Sequence, residues 1–232
     1  MALESEATLI TGCSTGIGRA TAIRLAEAGR TVYATARNIS AIADLADYGC
    51  ELLALDVTDE ESMVAAVDAV VDRHGAVGAL VNNAGYSQSG AIEDLPMESI
   101  RRQFETNVFG LIRMSQLVLP GMREQRAGRI VNIGSMGGKL SFPGGGIYHA
   151  TKYAVEAISD VLRFEVSNFG VKVVLVEPGL IKTNFADAAL SHMDTPSQTD
   201  GAYDDFNAAV AKNTAAVYEN PLYARLGGGP DD

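Results

Sequence analysis

The chain has 232 residues, enough for one large α/β domain, because single cores stop growing near roughly 250 to 300 residues. With 47% hydrophobic and 20% charged residues it has the burial potential of a globular domain, which excludes a disordered chain. A formal net charge of −11, from 18 Lys and Arg against 29 Asp and Glu, argues against nucleic acid or an anionic membrane surface as a partner.

Two cysteines, Cys13 and Cys50, belong to no CxxC pair and no His-containing cluster, so neither a disulfide framework nor a metal site is expected. No apolar run reaches the roughly 18 residues of a membrane span, and the first residues lack a basic segment followed by an apolar one. The expectation is a cytoplasmic protein with no membrane span.

Short apolar runs alternate with longer amphipathic ones, the rhythm of βαβ units building a parallel sheet. Strands are predicted over 7–11, 31–36, 51–56, 79–82, 129–133 and 172–177, with the Val, Ile and Leu content of strands buried on both faces. A first helix over 16–28 should stop at Gly29, and Thr58 with Glu61 offers a capping box to a helix running to about His74. Pro96 suits the first turn of a long helix through Gln116, which Pro120 should bend or end. A further helix begins near Tyr148 and continues through Val161. No internal repeat is present, and no Pro, Ser or Gly linker precedes residue 186, so one domain over 1–232 is expected. Residues 187–232 carry eight acids against two bases, which suits either a solvated helix with flexible ends or a lid over a bound substrate.

The segment Thr11-Gly12-Cys13-Ser14-Thr15-Gly16-Ile17-Gly18 follows the first strand and opens the first helix. Glycines there permit a tight turn and close backbone approach, while the helix N-terminus presents unpaired N–H groups to a pyrophosphate. A dinucleotide site usually has an acid at the end of the second strand, where it accepts from ribose hydroxyls. Here that stretch reads Ala34-Thr35-Ala36-Arg37-Asn38. A guanidinium at position 37 would fork onto a 2′-phosphate that a carboxylate would repel, which favours NADP(H) over NAD(H).

Tyr148 and Lys152 are four residues apart and so share a helix face. A phenol of reference pKa about 10 is a poor base at neutral pH, but an adjacent ammonium stabilises its phenolate and brings it toward working range. His149 faces a different direction, and Cys13 has no neighbour that would activate a thiolate.

Taken together, TGxxxGIG at the first turn, Asn82-Asn83-Ala84-Gly85 after the fourth strand, Asn107 in the long helix, Ser135 after the fifth strand, the YxxxK pair and Pro178-Gly179 resemble the short-chain dehydrogenase/reductase family over about residues 7–186. The GGGIYHATKYAVEA stretch is also similar to its hydroxysteroid and retinol dehydrogenase branch. The resemblance implies an α/β Rossmann-type doubly wound parallel sheet in three αβα layers, with six or seven strands. It implies hydride transfer, with Tyr148 as general acid/base and Lys152 lowering its pKa and holding the nicotinamide ribose. Ser135 would hydrogen-bond the substrate oxygen, and Asn107 would keep a water in a proton relay from Lys152. Gly12, Ser14, Thr15, Gly16, Ile17 and Gly18 would run along the phosphates, Asp56 and Val57 along the adenine, and Asn83, Ala84 and Gly85 along the adenosine side. Pro178, Gly179, Ile181 and Thr183 would meet the nicotinamide.

Helices over 97–119 and 151–169 expose small and apolar residues, and the resemblance implies that such helices build a two-fold interface, so a homodimer is the first expectation. A tetramer is the second, because the sequence stops at Asp232 where family members continue with one more strand and helix. The segments 87–92, 136–147 and 185 onward should line the substrate end. Met136, Leu140, Phe142, Phe185 and Met193 lean apolar, which points to a lipophilic ketone or aldehyde and its alcohol. The alternative is a catalytically silent dinucleotide-binding regulatory protein, which would bind cofactor without turnover.

Overall fold

Short β-branched and Leu-rich runs make six parallel strands: β1 Thr8–Ile10, β2 Val32–Ala36, β3 Glu51–Ala54, β4 Ala79–Asn82, β5 Gly128–Ile133 and β6 Val171–Val176. The computed structural model describes residues 5–181, 198–219 and 228–230. The strand order is β3-β2-β1-β4-β5-β6. The chain winds outward from β1 through β3, then returns to the other side of β1 as β4. That reversal opens a crevice at the carboxyl ends of β1 and β4, where open α/β sheets bind ligands.

Among the described residues the helices are α1 Gly16–Glu27, α2 Glu60–His74, α3 Met97–Phe104, α4 Gly110–Glu124, α5 Gly146–Glu165 and α6 Asp204–Glu219, with a helical run over Ile39–Tyr48 between β2 and β3 and short helical turns elsewhere. Two apolar cores flank the sheet. One joins Leu9, Leu80 and Ile130 to Met63, Val67 and Val70 of α2 and to Met114 and Val118 of α4. The other joins Ile10, Val32 and Ala34 to Ala22 of α1 and to Ile42 and Leu45. Every residue of β1 and β2 is buried, as expected for strands covered on both faces. The edge strands differ from that expectation. In β6 Val171 and Val173 are buried while Lys172, Val174 and Val176 are exposed, because among the described residues helices cover only one of its faces. In β3, the other edge, Glu51 and Ala54 are exposed.

Gly29, at φ +75°, ends α1 as its residue type predicts. The cap of α2 is Asp59 and not Thr58: the Asp59 carboxylate accepts from Glu61 N at 3.0 Å and Ser62 N at 3.3 Å. Thr58 instead donates its hydroxyl to Asp56 Oδ1 at 2.7 Å. Pro96 caps α3, but Pro120 does not stop α4, which runs on to Glu124. The missing Pro120 N–H falls one turn from the helix end, where a single lost bond is cheap against the packing of Val118 and Met122.

Between α3 and α4 the helix widens into a π turn over Glu105–Phe109, a rare feature that inserts a residue and re-aims side chains, frequently at functional sites. Gly110 follows it at the one point where the helix meets the Val57 carbonyl: a Cβ there would lie 2.6 Å from that oxygen. A buried polar chain crosses the sheet centre beneath the crevice. Asn82 Nδ2 donates to Asn132 Oδ1 at 3.0 Å and to Ser115 Oγ at 3.2 Å, and Asn132 Nδ2 donates to Ser159 Oγ at 2.9 Å. It locks β4 and β5 to α4 and α5, the elements that carry the site.

Residues 198–219 are not a free solvated helix. Buried Asp94 accepts from Gln198 N at 2.9 Å, Thr199 Oγ1 at 2.8 Å and Asn207 Nδ2 at 2.9 Å, and Asn207 Oδ1 accepts from Ala91 N at 3.0 Å. Val210 of α6 is buried over Gly144, in the loop leading to α5.

Candidate active site

The turn after β1 takes its shape from glycine at two points. Gly12 has φ +73°, and a Cβ on it would meet Ala84 Cα at 2.9 Å. A Cβ on Gly18 would lie 2.3 Å from Asn83 Nδ2 and 2.6 Å from the Gly12 carbonyl, so only hydrogen allows α1 to close against the segment after β4. Gly18 therefore stands behind the turn and does not line the cavity, whereas Gly12, Ser14, Thr15, Gly16 and Ile17 do. Asn83 Nδ2 donates to the Thr11 and Gly12 carbonyls at 2.8 and 2.9 Å, and Thr11 Oγ1 accepts from Asn83 N at 3.0 Å and Ala84 N at 2.9 Å. Cys13 N is spent on the Thr35 carbonyl at 2.7 Å, so the N–H groups that the turn can offer a ligand are those after it. Thr15 caps α1 without a side-chain hydrogen bond, and the first turn of α1 holds no acid, so the helix N-terminus remains open to an anion. Cys13 faces the core: its thiol donates to the Ile10 carbonyl at 3.3 Å, and burial pushes its pKa up to about 12.

Arg37 stands exposed at the end of β2 on the cavity wall, with no acid paired to it among the described residues. Asp56 and Val57, after β3, line the same end. The Asp56 carboxylate shapes its own turn, accepting from Thr58 N at 2.9 Å, while Asp56 N donates to Ser62 Oγ at 3.0 Å. Asn83, Ala84 and Gly85 form the floor.

At the other end, Ser135 follows β5 with its hydroxyl oxygen accepting from Gly137 N at 3.0 Å, which leaves the hydroxyl hydrogen to be donated. Tyr148 and Lys152 lie one turn apart on α5 and both line the cavity. Lys152 Nζ donates to the Ile133 carbonyl at 2.8 Å and lies 5.8 Å from the Tyr148 ring centre. Lys152 is buried among the protein's own atoms, and that burial lowers its pKa from the ordinary lysine value to about 8. Pro178, Gly179 and Ile181 after β6 complete this wall; Thr183, Phe185 and Met193 lie outside the described residues.

Asn107 sits inside the π turn, buried and off the cavity wall. Its Nδ2 donates to the Tyr86 carbonyl at 3.0 Å and to Thr151 Oγ1 at 3.1 Å, and its Oδ1 accepts from Tyr86 N at 3.1 Å. The side chain thus fastens the segment after β4 to α5, with both amide hydrogens used. Contrary to the expectation that it faces elsewhere on the helix, His149 packs its ring edge-on against Tyr148, 5.7 Å between centres, and lines the cavity beside it. Its Nε2 accepts from Phe142 N at 3.2 Å and its Nδ1 lies 3.0 Å from the Gly137 carbonyl, and burial holds it neutral by lowering its pKa.

These groups surround one elongated cavity of about 720 Å³. Of the segments expected at the substrate end, Met136, Gly137 and Phe142 line it; Leu140 is exposed to solvent, and Ser87, Gln88 and Ser89 are buried in the fold behind Tyr86. Tyr86, Arg102 and Thr106 also line it and escaped sequence reasoning. Arg102 and Thr106 precede Gly110 at four-residue steps, so the close contact of Gly110 with Val57 turns their helix face toward the Asp56–Val57 end. Four-residue spacing was the available signal, but nothing in the sequence says which turn that face meets.

An open glycine turn at a switch point, joined by one cavity to a Ser, Tyr and Lys cluster, defines a nucleotide-binding α/β protein equipped for proton transfer at a bound oxygen. The short chain dehydrogenase family model matches residues 6–194, and the chain belongs to that family of oxidoreductases, whose fold binds a nicotinamide dinucleotide. A 3-ketodihydrosphingosine reductase of Bacteroides thetaiotaomicron is 40% identical over 189 residues, covering 80% of this chain and 67% of that protein. A short-chain dehydrogenase structure from Streptomyces avermitilis is 39% identical, with a TM-score of 0.81 over 99% of this chain and 80% of that one. Similar structures hold both cofactors. A metagenomic short-chain oxidoreductase in complex with NADP has TM-score 0.73 at 26% identity, over 78% of this chain and 86% of that one. A Burkholderia phymatum relative in complex with NAD has TM-score 0.77 at 26% identity, over 97% and 87%.

Proposed function

We propose that the protein is an NADP(H)-dependent oxidoreductase of the cytoplasm that interconverts a lipophilic ketone or aldehyde and its alcohol. The observation that carries this reading is the single cavity that runs from the open glycine turn and exposed Arg37 to Ser135, Tyr148 and Lys152. The cofactor fits the residues present: the turn has open N–H groups and closely packed glycines, and a guanidinium with no acid paired to it among the described residues suits a 2′-phosphate. When bound, NADP(H) supplies or accepts the hydride.

The chain's own residues would manage the oxygen. Ser135 donates its hydroxyl hydrogen to the substrate oxygen and orients it, while Tyr148 delivers the proton on reduction or removes it on oxidation. Lys152, buried and with no carboxylate partner among the described residues, stabilises the Tyr148 phenolate through its charge. Asn107 would act by holding α5 to the segment after β4, since its side-chain donors are already used. The apolar side chains Met136 and Phe142 at the substrate end favour a lipophilic substrate, in keeping with the lipid ketone named for the Bacteroides relative. A turnover panel with NADPH tests this: steroid, long-chain and aromatic ketones should outperform small polar carbonyl compounds by at least roughly tenfold in kcat/KM. Faster turnover of the polar compounds would overturn the substrate class.

Phe109, Tyr153, Val161 and Phe164 stand exposed on the π turn and α5, and they favour a homodimer that covers them. Light scattering at micromolar concentration should give twice the chain mass; a monomer mass would exclude this.

A further inference from the structure

Glu156 follows Lys152 by one turn on α5 and is buried despite its charge. Its carboxylate lies directly under the loop that carries Ser135: a Cβ on Gly138 would come within 2.8 Å of Glu156 Oε1. Glu156 Oε2 pairs with Lys139 Nζ at 2.6 Å, and the same ammonium reaches Glu177 Oε1 at 3.2 Å. Glu177 directly precedes Pro178 and Gly179 of the cavity wall. Lys139 therefore joins α5, the loop after β5 and the end of β6. Backbone bonds run beside it, from Gly134 N to the Val176 carbonyl at 2.7 Å and from Met136 N to the Pro178 carbonyl at 2.9 Å. None of the three ionic side chains lines the cavity. A buried carboxylate costs much in lost solvation, a cost offset here by an ion pair that joins three segments and so favours one arrangement of them.

We propose that Glu156, Lys139 and Glu177 form an ionic clamp of positioning residues that holds the Ser135 loop and the Pro178–Gly179 wall in register with Tyr148 and Lys152. The inference rests on the oxidoreductase reading of the site. The charged groups around the clamp are its own three members, Asp160 beside Glu177, and Lys152 one turn back. Burial holds the Glu156 carboxyl above the usual range against the pull of Lys139, while Glu156 and Lys139 hold Glu177 below it. Glu156 is thus the member that protonates first as pH falls, and its protonation loosens the clamp on the acid side. Removing Lys139 removes the one cation that opposes burial, so Glu156 then protonates at higher pH.

Lys139 is more than half exposed, so Lys139→Met should fold. It should lower kcat roughly tenfold, because small misplacements of catalytic groups are costly, and leave cofactor affinity and substrate KM within about twofold. The acid limb of its kcat profile should move to higher pH. Glu156→Gln should lose that limb, and Lys139→Arg should restore kcat. An unchanged kcat, or a lower kcat with an unmoved acid limb, would overturn the clamp. If the wild-type chain turns over no carbonyl compound, the functional reading fails by itself, and backbone amide exchange over 134–138 then decides on the clamp. Exchange should quicken in Lys139→Met and not in Lys139→Arg; equal protection in both would refute it.

Discussion

Tyr148→Phe is expected to lower kcat about a thousandfold, within the roughly 10²- to 10⁴-fold that a positioned general acid or base contributes, while NADPH affinity stays unchanged. The substitution deletes one oxygen and keeps the ring, including its contact with His149 at 5.7 Å between centres, so the packing of α5 is preserved. Single-turnover and steady-state rates with one good substrate read the effect; retention of more than a tenth of wild-type kcat would remove Tyr148 from the chemistry. The pH dependence has a defined sign. Lys152 is lowered to about 8, so its charge, and with it the support for a Tyr148 phenolate, is present below that value and fades above it. In the oxidation direction the rate should rise with pH as the phenolate forms, and Tyr148→Phe should abolish that limb. The same burial makes the unfolded chain bind the Lys152 proton more tightly than the folded one. Stability should therefore increase as pH rises from about 8 toward the ordinary lysine range, an increase that Lys152→Met would remove.

Arg37→Ala is expected to weaken NADPH binding by roughly 10- to 100-fold, the value of losing charge-assisted hydrogen bonds of about 1.5 to 3 kcal/mol. NADH binding should change by less than about threefold, because without a 2′-phosphate the guanidinium has little to hold. Arg37 is exposed and has no acid paired to it among the described residues, so its removal leaves the fold untouched and the titration reads recognition alone. The contrast with the rest of the molecule sharpens the expectation: the chain carries a net charge of −11, yet this end of the cavity presents an exposed guanidinium. Fluorescence titration with each cofactor checks it, and equal losses for NADPH and NADH would refute a 2′-phosphate site at Arg37.

The sequence by itself determined the strand rhythm, the glycine turn, and the four-residue step from Tyr148 to Lys152. These are local features, set by backbone periodicity and by residues whose conformational range is narrow. It also marked Gly18 and Asn83 as residues that would meet the cofactor. Only the packed structure puts Gly18 behind the turn and makes the Asn83 side chain its brace, because both functions depend on a segment some seventy residues away. Local rules misled where a neighbour outcompeted them. Asp59 took the cap predicted for Thr58, and the packing of α4 carried the helix past Pro120.

Tertiary structure alone decided which long-range partners share the cavity and in what state. Arg102 and Thr106 reach it because Gly110 lets their helix touch Val57. The Lys152 pKa is lowered to about 8 because the fold buries the ammonium. Glu156 is buried under Gly138 and meets Lys139 and Glu177 from two other segments. Sequence spacing fixes which side chains share a face, since that follows from 3.6 residues per turn. What that face meets, and how dry the meeting is, follows from the free energy of the whole packed chain.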